Sequence, residues 1–210
     1  PILRFACIFS NAAYMGFPLI EALFGAEGLI YASVYVTVFN ILLWTVGFGM
    51  ITGTVEPKEV VRTVCTNPVL IAVVIGLVIY LCQIPVPEVI EQPLALIGNM
   101  NTPLSMIITG MMIAGSNLAQ MLCDRRILSV MGIRMLLIPA VCFALFFACG
   151  FSGMAAGVVL LLEACPSAAI TSVFAVQYSY DEEFAAGSVV ITTLLSIVIL
   201  PVCAMLLPGM

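Results

Sequence analysis

Histidine is absent from the 210 residues, and its absence excludes two kinds of membrane enzyme. A membrane metalloprotease needs a histidine pair on a helix to hold zinc. A membrane serine protease with a Ser–His dyad needs histidine as its general base. A lipid or prenyl transferase would need clustered aspartates for Mg²⁺, yet the only two aspartates are Asp124 and Asp181. We therefore expect a protein that is not an enzyme and that has no metal site and no cofactor.

Charged residues are scarce as well. They make up 8% of the chain, whereas hydrophobic residues make up 63% and the mean hydropathy is +1.26. A soluble domain carries about 25% charged residues. So few charges cannot cover a water-facing surface, and the composition predicts an all-α, multi-pass protein of a cell membrane, with the bacterial inner membrane as the expected location. The net charge of −5 belongs to loops and gives no reason to expect nucleic-acid binding.

Cysteine pairs of the C-x-x-C type are also missing, although the chain has eight cysteines. They are scattered, mostly through apolar segments, so they are interpreted as reduced, small membrane hydrophobes and not as a disulfide frame or a metal site. The apolar sequence begins at Pro1 with no signal peptide. This start predicts that the chain is a fragment of a longer open reading frame.

Apolar runs of roughly 20 residues, bounded by charges or by Pro and Gly, predict membrane spans. Seven are expected, at 2–24, 28–52, 68–84, 102–120, 127–149, 154–178 and 184–207. The segment 86–100 is too polar to span a membrane and is expected to form an external loop or a short interfacial helix.

The few basic residues orient these spans, because lysine and arginine are enriched in cytoplasmic loops. The connector 53–67 carries Lys58 and Arg62, and the connector 121–126 carries Arg125 and Arg126. Both connectors are therefore expected in the cytoplasm, and the C-terminus is expected outside.

Two segments placed 156 positions apart carry similar interruptions. A gapless shift lays SNAAYMGFPLIEALFGAEG (10–28) over PSAAITSVFAVQYSYDEEF (166–184). Each segment has a small polar cluster and a proline expected to break its helix, Pro18 in the first and Pro166 in the second. The predicted orientation makes the two spans antiparallel. Two broken, antiparallel helices indicate an inverted-repeat transporter, and five spans per repeat would place about three further spans before this chain.

The interruptions predict an anion site. A half-helix that restarts after a break presents free N–H groups and the positive end of its dipole. Two such ends converging near the bilayer midplane would bind a small organic anion without a buried arginine.

Several stretches in family order resemble the auxin efflux carrier family of membrane permeases, including its bacterial malonate-transporter-like branch. They are SNAAYMGFPLIEALFG (10–25), NPVLIAVVIGLVI (67–79), NTPLSMIITGMMIAGSNL (101–118), IRMLLIPA (133–140), ACPSAAITSVFAVQYSYD (164–181) and TTLLSIVILPV (192–202).

The resemblance implies a ten-span fold of two inverted five-span repeats, whose fourth and ninth spans are broken and cross at the substrate site. The first three spans would then be missing here. Residues 1–52 would be the last two spans of the N-terminal repeat, 53–67 a cytoplasmic linker and 68–210 the C-terminal repeat. The first two and last two of the seven spans would belong to the transporting half, and the third and fourth to the scaffold.

The candidate substrate-binding residues follow from the polar clusters and from the family's broken-helix motif. They are Asn11, Tyr14, Gly16, Pro18, Pro166, Ser167 and Thr171. Each also has a structural interpretation. Proline can merely kink a membrane helix, asparagine can hydrogen-bond between helices, and serine or threonine can bond back to its own helix. Asn40 and Thr37 are further polar residues that could line a cavity.

Glu163 lies about halfway along the sixth predicted span, where an unpartnered carboxylate is costly. It is expected to couple transport to protons or to a cation, with a structural ion pair as the alternative. Arg134 could either reach the membrane interface or pair with an acid such as Glu163, and the sequence leaves both open.

Taken together, the sequence predicts a secondary transporter for small organic anions, either dicarboxylates or auxin-like carboxylates, that works by alternating access. The alternatives are a channel, a sodium-coupled anion symporter of related fold, and a membrane receptor that does not transport. The expected partners are the anion, the lipid bilayer and a proton or sodium ion, with a homodimer as an open question.

Overall fold

The computed structural model describes residues 1–53, 62, 65–66, 68–115 and 117–206, and within them the fold is all-helical. Most of the predicted linker 53–67, with Lys58, lies outside these residues. The helices run in the order α1 Ile2–Ile8, α2 Phe17–Leu42, α3 Phe48–Thr52, α4 Pro68–Leu81, α5 Glu88–Asn99, α6 Asn101–Ala114, α7 Leu118–Cys123, α8 Arg125–Met131, α9 Ile138–Cys149, α10 Met154–Glu163, α11 Ile170–Gln177 and α12 Glu182–Leu206.

Within the described part of the chain, three π-helical turns join neighbouring helices into longer runs: Ala12–Gly16 leads into α2, Leu43–Gly47 joins α2 to α3, and Gly132–Leu137 joins α8 to α9. Two of these turns end two residues before a proline, Pro18 or Pro139. Proline has no N–H and its ring obstructs the carbonyl one turn earlier, so the helix widens there. Pro18 therefore reshapes a continuous helix, and the prediction that it breaks the first span is wrong: the break lies at Phe9–Asn11.

Gly25 turns the chain back on itself within α2. Its backbone angles, φ 63° and ψ −156°, lie outside the helical region and in a region open to glycine. After this turn the chain packs alongside its own beginning, because the ring of Phe39 lies 5.7 Å from the ring of Phe9. The predicted boundary between the first two spans, at residues 25–27, agrees with this turn.

Among the residues that the structure describes, four helical runs are long and apolar enough to cross a membrane: Ala12–Thr52, Glu88–Ala114, Arg125–Cys149 and Glu182–Leu206. The seven predicted spans are therefore not all recovered as long helices. The first two spans share one run that turns at Gly25, the third is the short helix α4, and the sixth is divided between α10 and α11. The segment predicted as a loop or short helix at 86–100 contains α5, whose residues are all exposed.

In the described ranges, two buried apolar clusters hold the helices together. The first surrounds α1 and joins it to α11, α12 and α8 through residues such as Phe5, Phe9 and Phe174. The second packs α2 against α10 through residues such as Ile20 and Leu162. Large apolar side chains elsewhere point outward, including Phe147 (72% exposed), as expected for surfaces in contact with lipid.

Candidate functional site

The two interrupted helices meet where each of them stops. Helix α1 ends at Ile8 and α10 ends at Glu163, and the extended residues that follow pair as a short antiparallel bridge between Ser10 and Ser167. The Asn11 N–H donates to the Pro166 carbonyl at 2.7 Å, and the Ala168 N–H donates to the Phe9 carbonyl at 2.9 Å. The prediction that the two interruptions meet is confirmed, and we call this junction, residues 9–11 with 164–169, the crossing.

Ser167 is a buried residue whose hydrogen bonds stabilise the crossing. Its hydroxyl donates to the Ala6 carbonyl of α1 at 2.8 Å, and its N–H donates to the Thr192 hydroxyl of α12 at 3.1 Å. Both Ser167 and Thr192 are fully buried. These bonds satisfy backbone groups that the breaks release, as a membrane interior requires.

Arg134, on the π-helical turn before α9, is also fully buried at the crossing. Its guanidinium donates to the carbonyls of Glu163 (2.6 Å) and Cys165 (3.1 Å) after α10. It also donates to the carbonyls of Ile8 (3.2 Å) and Cys7 (3.4 Å) at the end of α1. A buried arginine thus lies at the crossing and binds backbone carbonyls, but it does not line the cavity beside the crossing. The expectation of an anion site that needs no buried arginine stays a prediction. The half-helices release carbonyls as well as amides, and those carbonyls need a donor.

Glu163 completes this polar centre. Its carboxylate lies 3.4 Å from the Arg134 guanidinium and accepts a hydrogen bond of 2.7 Å from the Tyr35 hydroxyl of α2. Its side chain is 29% exposed. The sequence left two alternatives for Arg134, the membrane interface or an ion pair with an acid such as Glu163. The structure shows the ion pair with Glu163. Glu163 therefore has a structural partner in addition to any role in coupling.

An open cavity of about 760 Å³ adjoins the crossing. Its walls are mostly apolar and aromatic, and none of its described lining residues is charged. Three asparagines, Asn11, Asn40 and Asn101, supply amide groups. The residues 168–170 also line the cavity, so the start of α11 lies beside it. This composition resembles that of small-molecule pockets, in which a few polar groups orient a ligand within apolar walls.

Of the seven predicted substrate residues, Asn11 and Tyr14 line the cavity. Gly16 is buried against α10, since a Cβ there would clash with Cδ2 of Leu162. Pro166 and Ser167 are buried within the crossing. The remaining two lie beside the site and outside its described lining, Pro18 at the start of α2 and Thr171 on α11.

Asn101 is a cavity residue that the sequence interpretation did not single out. Its side-chain amide donates to the Ala13 carbonyl at 3.4 Å, which ties the start of α6 to the first π-helical turn. The available signal was its position at the head of NTPLSMIITG, one of the stretches that resemble the permease family. Asn40 and Thr37, considered as secondary cavity residues, do line the cavity.

Comparison with known proteins supports a role in transport. The family model described as membrane transport protein matches residues 2–204. An uncharacterized transporter of Methanothermobacter thermautotrophicus is 26% identical over 207 residues, 98% of this chain and 67% of the relative. An uncharacterized transporter of Methanocaldococcus jannaschii is 25% identical over 195 residues, 90% of this chain and 63% of the relative. The chain thus spans about two thirds of the length of these relatives.

The match covers nearly all of the chain, and it agrees with the apolar helices and with the paired interruptions. The protein is therefore a multi-pass membrane protein that belongs to the membrane transport protein family, the family of the auxin efflux carriers.

Proposed function

We propose that the protein is a secondary transporter of small organic anions that works by alternating access around the crossing. The observation that carries the proposal is the bridge between Ser10 and Ser167 beside a cavity lined by three asparagines. Interrupted helices are tolerated at membrane depth where they line a cavity or are buried in protein. In secondary transporters such interruptions form the substrate site.

The cavity favours an anion with one carboxylate and an apolar body. Amide N–H groups from Asn11, Asn40 and Asn101, together with the positive end of α11, suit a single carboxylate. Aromatic side chains such as Phe39 and Trp44 suit an apolar body. A dicarboxylate would bring a second charge into a lining that has no basic side chain among its described residues, and desolvating that charge is costly.

Saturation of uptake at high substrate concentration distinguishes the proposed carrier from a channel. A carrier with alternating access binds one substrate per cycle, so uptake saturates and preloaded substrate accelerates exchange. A continuous pore would show neither property. Uptake of labelled aromatic carboxylates and dicarboxylates by the full-length protein in proteoliposomes tests the proposal, and unsaturable flux without counterflow would refute it.

Asn11→Ala should weaken transport of the preferred anion. Asn11 is 4% exposed, lines the cavity and makes no side-chain hydrogen bond to another described residue. Its amide is therefore available to a ligand. Losing a hydrogen bond to a charged group costs about 1.5–3 kcal/mol, which corresponds to a fall of roughly 10- to 150-fold in kcat/KM. The measurement is initial uptake against substrate concentration.

Thr37→Val is the matched control for Asn11→Ala. Thr37 lines the same cavity, but its hydroxyl already donates to the Ser33 carbonyl at 2.7 Å, so its removal should leave uptake nearly unchanged. Pro166→Ala tests the crossing itself. If Asn11→Ala and Pro166→Ala both transport like the wild type, the substrate site does not lie here.

Glu163→Gln should abolish uptake driven by external acid while leaving substrate exchange intact. Glutamine can still accept the hydrogen bond from Tyr35, but it cannot gain or release a proton. The measurement compares uptake under an imposed pH gradient with exchange at equal pH. Glu21→Gln, an exposed change on the same broken span as Asn11, is the control. If uptake by Glu163→Gln depended on the pH gradient as it does in the wild type, Glu163 would have no role in proton coupling and would only pair with Arg134.

A further inference from the structure

The guanidinium of Arg134 is surrounded by oxygen atoms from two helices, α1 and α10, that both end at the crossing. Four are backbone carbonyls, from Cys7 and Ile8 at the end of α1 and from Glu163 and Cys165 at the end of α10. The fifth is a carboxylate oxygen of Glu163, 3.4 Å from both terminal nitrogens of the guanidinium. All five oxygens therefore lie around one buried positive charge.

The chemistry of this group of oxygens is that of a cation site. The C-terminal end of a helix carries partial negative charge on its unpaired carbonyls. Carbonyl and carboxylate oxygens are the ligands that hard metal cations take in proteins. In transporters with interrupted helices, such carbonyls hold the coupling cation. In this protein the guanidinium of Arg134, a cation that is part of the chain itself, already lies among these oxygens.

We propose that Arg134 is a built-in cation of the crossing, which takes the place of a bound metal ion. It is a positioning residue: it does not line the substrate cavity, and it acts by holding the ends of α1 and α10 together. The consequence for transport rests on the proposed function. Anion uptake should need no sodium ion, because Arg134 already donates hydrogen bonds to the oxygens that would otherwise bind sodium.

Burial strengthens this interpretation. Arg134 is 0% exposed, and a charge in that position is tolerated only when every donor has a partner. The planar guanidinium reaches carbonyls on both half-helices at once, which the single ammonium of lysine could not do. Proton coupling through Glu163 is a separate question, because a proton on its carboxylate would leave the four carbonyl contacts of Arg134 in place.

The first experiment measures the wild type in sodium, potassium or N-methylglucamine chloride at one ionic strength. The melting temperature and the rate of anion uptake should be the same in all three salts. A higher melting temperature in sodium, or uptake that requires sodium, would overturn the proposal. Since melting does not depend on transport, a protein that moves no anion would refute the proposed function and still allow this test.

The second experiment removes the arginine side chain and supplies a free guanidinium ion from solution in its place. Arg134→Ala leaves the oxygens without their donor, so its melting temperature should fall, and about 20 mM guanidinium, far below denaturing concentrations, should recover at least half of the loss. Tetramethylammonium, which has no N–H donor, should recover none. Arg126→Ala, which removes an exposed arginine, should not respond to guanidinium.

Arg134→Lys keeps the proposal testable if Arg134→Ala does not fold. Lysine retains a positive charge among the same oxygens, so this variant should melt below the wild type and remain insensitive to sodium. Rescue of Arg134→Ala by guanidinium supports a built-in cation. Equal effects of guanidinium and tetramethylammonium, or a sodium-dependent Arg134→Lys, would show that Arg134 merely fills space.

Discussion

Arg134→Met should lower the free energy of unfolding by about 3–5 kcal/mol, the usual cost of breaking a buried ion pair by removing one partner. Methionine keeps much of the side-chain volume but donates no hydrogen bond. The carboxylate of Glu163 would lose its cation, and the carbonyls of Ile8, Cys165 and Glu163 itself would lose their donor. Thermal or chemical unfolding of the protein in detergent measures the effect.

A second substitution separates the charge from the carbonyl contacts. Glu163→Gln in the Arg134→Met background removes the unpaired carboxylate, so it should recover part of the loss, and the remainder belongs to the carbonyls. Arg126→Met is the control, because Arg126 pairs with Asp124 at 2.8 Å and with Asp181 at 2.9 Å while 55% exposed. An exposed pair contributes little to stability, because water and salt screen both charges. Equal losses for Arg134→Met and Arg126→Met would contradict the buried role of Arg134.

The interruptions could be predicted from the sequence because their signals are local. Pro166, with a carboxylate three residues before it and serine and threonine after it, cannot continue an apolar helix. Gly25 likewise lies at the predicted boundary between two spans. Pro18 shows the limit of such signals. A proline in a helix can cause either a break or a π-helical turn, and the outcome depends on what packs beside it.

The partners of Arg134 could not be predicted with the same certainty. Sequence position gives the depth of a residue along a helix but not the direction in which it points. Arg134 is separated from Cys7 and Ile8 by more than 120 residues and from Glu163 by 29. For the same reason Asn101 was missed, since its contact with Ala13 spans 88 residues. Such contacts depend on the packing of helices, which periodicity alone does not determine.

Gly47 lies in the core beside the crossing, at a position that is packed too tightly for a side chain. A Cβ at this position would lie 2.8 Å from two ring carbons of Phe9 and 3.0 Å from a ring carbon of Phe5. Both rings are buried, and their centroids lie 4.6 Å apart. The Phe5 ring in turn packs edge-on against Phe174, at 5.3 Å. Neither ring can move without displacing a neighbour.

Gly47→Leu should therefore destabilise the protein by about 3 kcal/mol, the upper part of the range for overpacked cores. Because the carbonyl of Phe9 accepts the hydrogen bond from Ala168, a displaced Phe9 would also disturb the crossing, and uptake should fall with stability. Gly98→Leu is the control, since, apart from its chain neighbours and its own helix backbone, no described atom lies within 4 Å of a Cβ there. Melting temperature and uptake are measured on both variants. If Gly47→Leu were as stable as Gly98→Leu, the close packing of α1 against the returning helix would not contribute to the fold.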